Sequence, residues 1–193
     1  MSSHARLRAA VLSAAFALAA GGCSEAPPPA PEVAELPDLR REKLPKPVIK
    51  DLIELRRSLL EYRSFERAMQ DSFNTKLTEC MVMPPLGGMG FHYGNVGLID
   101  GSVRVDEPEL LLYEPEKNGQ LRLVAVEYII PYTFHPRSAE APVLFGQRFE
   151  QIDMFELWGL HAWVWKENPS GIFASWNPRV TCENATEAMT MAH

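Results

Sequence analysis

Leu110-Leu-Leu-Tyr-Glu-Pro115 is followed in the chain by Glu116-Lys-Asn-Gly119 and then by Leu121-Arg-Leu-Val-Ala-Val-Glu-Tyr-Ile-Ile130. An Asn-Gly pair between two apolar runs is a strong hairpin signal, because a tight hairpin turn needs residues that accept positive φ. The sequence therefore predicts two antiparallel strands joined by a short turn. Pro131 ends the second strand, because proline cannot donate to the sheet ladder.

An amphipathic helix is predicted before the hairpin. Pro47 suits the first position of a helix, and apolar residues then recur at spacings of four and three: Val48, Leu52, Leu55, Leu59 and Tyr62. A second helical stretch is predicted from Phe65 to Phe73. We expect this face to pack on the core, and binding of a partner is the alternative.

The rest of the body has the pattern of strands and turns. Gly87-Gly88-Met-Gly90 is interpreted as a turn, and Phe155 to Trp165 is a further strand candidate. Helices followed by antiparallel strands predict an α+β fold, with N-terminal amphipathic helices packed on an antiparallel sheet. We expect a single α+β domain over 48–182 and a loose tail over 183–193.

The N-terminus is predicted to be a lipoprotein signal peptide over 1–22. Arg6 and Arg8 precede an apolar run, 9–20, which is shorter than the roughly 20 residues of a spanning helix. Leu18-Ala-Ala-Gly-Gly-Cys23 resembles a bacterial lipobox, although Ala20 stands where leucine is usual. The resemblance implies lipid attachment at Cys23, and Ser24 after it resembles the outer-membrane default. An ordinary secretory signal is the alternative.

A proline-rich segment over 23–47 follows this cysteine. Seven of the 16 prolines of the 193-residue chain lie between Ser24 and Pro47. Such a segment favours extended polyproline II conformation, so we expect a tether between a lipid anchor and the body. The formal net charge of −6 argues against a protein that tracks the phosphates of nucleic acid.

Cys80 and Cys182 are the other two cysteines. In an exported protein they are expected to form a disulfide, because disulfides persist outside the cytosol. A pair of metal-binding thiolates or a catalytic cysteine is the alternative. The chain has no CxxC sequence, which excludes a thioredoxin-like redox motif.

Several segments together resemble an uncharacterised family of exported bacterial lipoproteins. In chain order they are Gly90-Phe-His-Tyr-Gly-Asn95, Leu98-Ile-Asp-Gly101, Pro108-Glu-Leu-Leu-Leu-Tyr-Glu-Pro115, Leu123-Val-Ala-Val-Glu-Tyr128, Leu144-Phe-Gly-Gln147, His161-Ala-Trp-Val-Trp-Lys-Glu-Asn-Pro169 and Gly171-Ile-Phe-Ala-Ser-Trp-Asn-Pro178. The resemblance covers about Tyr62 to Cys182 and departs from the family pattern at Val96, where proline is usual. It implies no activity.

Three polar residues are candidates for a functional site. Glu127 shares the apolar face of its strand, where an isolated charge is costly and requires a partner or a raised pKa. His161 shares one strand face with Trp163 and Trp165, and His92 lies beside Tyr93. We hypothesise that His92, Glu127 and His161 converge in one pocket walled by Tyr93, Trp163 and Trp165.

Such a trio has three interpretations. Two imidazoles and a carboxylate can bind Zn²⁺ or non-haem iron, or act as acid and base without metal. Hydrogen bonding within the core is the third. Three methionines near His92 offer thioether ligands for copper: Met81, Met83 and Met89.

The sequence as a whole predicts an exported, lipid-anchored envelope protein, in the outer membrane of a Gram-negative cell. We expect a module that binds a small apolar ligand or a protein partner, with no cofactor. The alternative is a metal-dependent enzyme or a carrier of zinc, iron or copper that uses His92, Glu127 and His161.

Overall fold

The hairpin predicted around Asn118 and Gly119 lies in the middle of the sheet. The computed structural model describes residues 37–39 and 43–186. Strand β3 (Leu110–Pro115) pairs antiparallel with β4 (Leu121–Pro131). Gly119 has a φ of +79°, a left-handed value that glycine adopts without steric cost. The predicted hairpin is therefore confirmed.

The other strands extend this hairpin into a curled antiparallel sheet. They are β1 (Thr75–Met83), β2 (Gly87–Gly94), β7 (Glu150–Ile152) and β8 (Leu157–Ala162), and the order across the sheet is β1-β2-β3-β4-β8-β7. A separate small hairpin pairs β5 (Val143–Leu144) with β6 (Gln147–Arg148). The combination of helix and antiparallel strand confirms the α+β class.

Within residues 43–186, two α-helices precede the sheet. Helix α1 (Lys46–Ser58) and helix α2 (Phe65–Gln70) are joined through a 3₁₀ turn. Helix α2 is shorter than predicted, because the chain leaves the helical conformation at Asp71 and Ser72 has a φ of +73°. None of the helices in the described part of the chain has the length and apolar character that crossing a membrane requires.

Aromatic side chains make contacts between the helical segment and one face of the sheet. The Phe65 ring meets the ring of Tyr93 edge-on at a centroid distance of 4.7 Å and that of Tyr113 at 5.2 Å. The Tyr113 hydroxyl donates to the carbonyl of Tyr62 at 2.6 Å. Leu52 and Leu55 of α1 are fully buried in the same apolar core.

The glycine-rich segment is a strand rather than the predicted turn. Gly87 has a φ of +108°, and a Cβ atom there would lie 2.1 Å from the carbonyl oxygen of Asn177. A Cβ atom on Gly90 would lie 2.4 Å from the carbonyl oxygen of Tyr113. The glycines therefore allow neighbouring backbone to approach β2 closely. In the sequence alone, glycines that serve this purpose cannot be told from glycines that form a turn.

The predicted disulfide is confirmed. Cys80 on β1 is bonded to Cys182, and the two cysteines are 102 residues apart in the chain. The described residues all lie in one compact unit.

Several predictions concern residues outside the described ranges. They are the signal peptide over 1–22, the lipidation of Cys23, most of the tether and the end of the tail. The boundaries of the predicted domain also remain predictions.

Candidate functional site

The curl of the sheet brings His92, Glu127 and His161 together on one face. Glu127 on β4 lies directly opposite His161 on β8 in the strand register. His92 lies on β2, three strand positions from β8, which corresponds to about 14 Å in a flat sheet. The imidazole centroids of His92 and His161 are only 6.2 Å apart, so the face that carries them is concave.

All three side chains are buried and point at one another. Oε2 of Glu127 lies 3.5 Å from Nε2 of His92 and 3.9 Å from Nε2 of His161. One donor atom from each of the three side chains lies within 4.8 Å of the others. Both histidine–carboxylate distances exceed those of normal hydrogen bonds. Nε2 of His161 is buried and has no hydrogen-bond partner among the described residues.

Neighbouring side chains fix the orientation of both imidazoles. Nδ1 of His92 is 2.7 Å from the Thr78 hydroxyl, and Thr78 lies directly opposite His92 in the register of β1 and β2. The His161 ring stacks on Trp163 with an interplanar angle of 12°. Trp163 is itself held by a hydrogen bond from its indole N–H to the carbonyl of Ala174.

Burial favours the uncharged form of each member of the trio. It lowers the pKa of His92 to about 4 and, together with the charge of His92, that of His161 to about 3. Burial raises the pKa of Glu127 to about 8, with smaller contributions from the charges of Glu109 and Glu150. At neutral pH the imidazoles are therefore neutral and Glu127 is mostly protonated.

Glu109 is a second buried carboxyl group near the trio, and sequence analysis did not single it out. Its Oε2 accepts a hydrogen bond from the backbone N–H of Ile129, two residues after Glu127. Burial raises the pKa of Glu109 to about 7. Because Glu109 accepts this hydrogen bond from the backbone of β4, we assign it a structural role in positioning that strand.

The trio lines the buried part of a cavity of about 560 Å³. The polar lining also includes Gln147, Ser175 and the exposed Arg148 and Glu150. Cavities of this size hold small organic molecules in other proteins. The other side chains that line it are largely apolar, and they include Leu77, Met81, Met89, Ile129, Phe173 and Trp176. Two further lining residues, Met154 and Phe155, are 77% and 46% exposed, so they lie where the cavity meets solvent.

The structure places the three predicted wall residues elsewhere. Tyr93 alternates with His92 along β2, so its ring packs on the opposite face of the sheet against Phe65. Trp163 supports the His161 ring without lining the cavity. Trp165 lies beyond the end of β8, where side chains no longer alternate between the two faces of the sheet. Its ring lies near the guanidinium groups of Arg56 and Arg63.

Thr78 and Phe173 are among the site residues that sequence analysis missed, and Trp176 was not predicted to line the pocket. Thr78 belongs to β1, whose nine residues contain neither glycine nor proline between Asn74 and Pro84. The absence of glycine and proline over these nine residues was the feature of the sequence that could have indicated a strand. Phe173 and Trp176 reach the cavity from an irregular segment, and no periodic pattern marks such residues.

Of the predicted copper ligands, Met81 and Met89 line the cavity, whereas Met83 does not and is 47% exposed.

Comparison of the chain with protein-family models, with curated proteins and with solved structures gives no match.

Proposed function

We propose that this protein is a binding module that takes one small, largely apolar molecule into the cavity on the concave face of its sheet. The observation that carries the proposal is a cavity of about 560 Å³ with mostly apolar walls and three buried polar groups that converge on it. This combination of an apolar body and a few placed polar groups is typical of small-molecule sites.

The charge state of the trio defines the polar end of the ligand. The imidazoles of His92 and His161 are neutral at neutral pH, and Glu127 is mostly protonated. A hydroxyl or carbonyl group can exchange hydrogen bonds with these groups without bringing an uncompensated charge into a buried place. The proposed ligand is therefore an apolar molecule with one uncharged polar end, which enters past Met154 and Phe155.

Fluorescence titration with a panel of neutral apolar dyes tests this proposal. We expect at least one dye, such as N-phenyl-1-naphthylamine, to bind the full chain saturably at one site in the presence of a chelator. Excitation of Trp176, which lines the cavity, adds energy transfer as a second signal. Binding is expected to be at least tenfold weaker in Phe155→Asp, because the new charge lies at the cavity mouth.

Phe134→Asp is the matched control, because Phe134 is 55% exposed and does not line the cavity. Equal binding by the two variants would contradict the cavity as the site. Failure of every dye to saturate would contradict a small apolar ligand and would favour a protein partner.

We further propose that this module is an exported lipoprotein, anchored through Cys23 to the outer membrane of a Gram-negative cell and held away from it by the proline-rich tether. The lipobox-like sequence and the Cys80–Cys182 disulfide support this, because such bonds persist in oxidising compartments. Cys23→Ser is expected to release the protein from membranes and to change its processing. Unchanged fractionation and processing would contradict the anchor.

Two finer parts of the sequence interpretation belong to the same proposal. The N-terminal helices are proposed to be an amphipathic cover on the sheet face opposite the cavity, which the contacts of Phe65 support. Membership of the family of exported bacterial lipoproteins that the sequence resembles is likewise proposed, on the quoted segments.

A further inference from the structure

We propose that His92, Glu127 and His161 bind one divalent transition-metal ion, such as Zn²⁺, in the buried wall of the cavity. The proposal rests on the geometry of the three side chains and does not require the apolar ligand. Two imidazoles and one carboxylate are a ligand set that zinc and non-haem iron accept in proteins.

The distances between the donor atoms fit one shared ion. Zinc bonds of 2.0–2.1 Å in tetrahedral geometry place neighbouring ligand atoms about 3.3 Å apart. Oε2 of Glu127 lies 3.5 Å from Nε2 of His92 and 3.9 Å from Nε2 of His161. The widest separation in the trio is within 4.8 Å, so each donor atom needs to move by less than about 1 Å to reach zinc bonding distances.

The hydrogen-bond inventory provides an independent reason. Nε2 of His161 is buried, faces Glu127 and has no hydrogen-bond partner among the described residues. A buried polar atom without a hydrogen-bond partner requires an explanation. The usual explanation is a bound ion or an ordered water molecule. The interpretation of the trio as a set of core hydrogen bonds does not explain this atom, because both histidine–carboxylate distances are too long.

The surroundings of His92 match those of a metal ligand. Histidines that bind metals donate their second ring N–H to an oxygen atom, which fixes the ring orientation and tautomer. The Thr78 hydroxyl is 2.7 Å from Nδ1 of His92 and can accept that proton. In this tautomer the lone pair of Nε2 points towards Glu127, so Thr78 is a positioning residue for the proposed site.

The site would leave one face of the ion open. The chain supplies three ligands, all of which line the cavity, and the remaining coordination position faces its interior. Zinc sites with three protein ligands and an open position polarise a bound water or carbonyl group, whereas structural sites have four protein ligands. A hydroxyl or carbonyl group of a molecule in the cavity is the chemical class that this position would accept.

Metal titration of the full chain tests the proposal without any organic ligand. The protein is stripped with chelator, returned to chelator-free buffer and titrated with Zn²⁺ by calorimetry and with Co²⁺ by visible absorption. We expect one equivalent to bind, with the intense absorption of four-coordinate Co²⁺. Glu127→Gln is expected to abolish this binding while keeping the fold, which near-ultraviolet circular dichroism monitors.

Matched variants separate metal binding from general damage to the structure. His135→Ala removes a histidine outside the cavity and is expected to bind Zn²⁺ like the wild type. Thr78→Val is expected to weaken binding by about 10–100-fold, and Thr78→Ser, which keeps the hydroxyl, to restore it.

Absence of stoichiometric binding by the wild type would overturn the metal site and leave an ordered water as the partner of His161. Equal binding by wild type and folded Glu127→Gln would overturn it as well. Because the dye titration is done in chelator and the metal titration without dye, failure of either proposal leaves the result for the other intact.

Discussion

Replacing Glu127 by glutamine should stabilise the metal-free protein at neutral pH. Glutamine has nearly the same shape as glutamic acid but cannot ionise. Glu127 is 5% exposed, and burial raises its pKa from 4.5 to about 8. Between these two values the folded protein keeps a proton that the unfolded chain loses, so the free energy of unfolding falls as the pH rises.

The size of the effect follows from the same shift. Each unit of pH in this window changes the free energy of unfolding by about 1.36 kcal/mol. From pH 4.5 to pH 7.5 the wild type should therefore lose about 3–4 kcal/mol that the variant retains. Glu109, His92 and His161 titrate in both proteins, so most of their contribution drops out of the difference. The exception is the smaller charge coupling between Glu109 and Glu127, which only the wild type has.

Urea unfolding of wild type and Glu127→Gln at a series of pH values, with chelator present, measures this difference. We expect nearly equal stabilities at pH 4.5 and a growing advantage of the variant towards pH 7.5. Glu54→Gln changes an exposed carboxylate on α1 and is the matched control. A constant difference between wild type and Glu127→Gln over the whole range would refute a buried, protonated Glu127.

Three further changes test the fold around the site, each by urea unfolding. Replacing both Cys80 and Cys182 by serine should cost up to about 4.7 kcal/mol, because the bond closes a loop of roughly 100 residues; unchanged stability would contradict the bond. Leu52→Ala should cost about 3–5 kcal/mol, because Leu52 is fully buried on α1; a cost below about 1 kcal/mol would contradict its packing. Gly159→Ala should cost about 1–3 kcal/mol, because the new Cβ would lie 2.6 Å from Cδ1 of Ile152 and 2.8 Å from Oε1 of the buried Glu127; a neutral effect would contradict these close contacts.

The local part of the fold could be predicted from the sequence. The hairpin follows from Asn118 and Gly119 between two apolar runs, and burial of Glu127 follows from its place in the apolar run of β4. Both depend on residues close together in the chain. Two cysteines and the expectation of export were sufficient to predict the disulfide.

Other parts of the site depend on pairings that the sequence does not encode locally. Because Gly87 to Gly90 were interpreted as a turn, β2 was not predicted, and neither was its alternation, which places His92 and Tyr93 on opposite faces. The approach of His92 to His161 depends on the curl of the sheet, a property of all its strands. Thr78 was missed because β1 was not predicted as a strand.

The central claim is that His92, Glu127 and His161 form one binding site. Long-range ¹H–¹⁵N NMR of the histidine side chains tests it most directly, since the chain has five histidines and His135 lies outside the cavity. At pH 7 we predict neutral imidazoles for His92 and His161, and joint shifts of both at one equivalent of Zn²⁺ while His135 stays unchanged. A shared site would be contradicted if the chemical shifts of His92 and His161 do not change on addition of Zn²⁺. It would also be contradicted if the two histidines respond at different equivalents of metal.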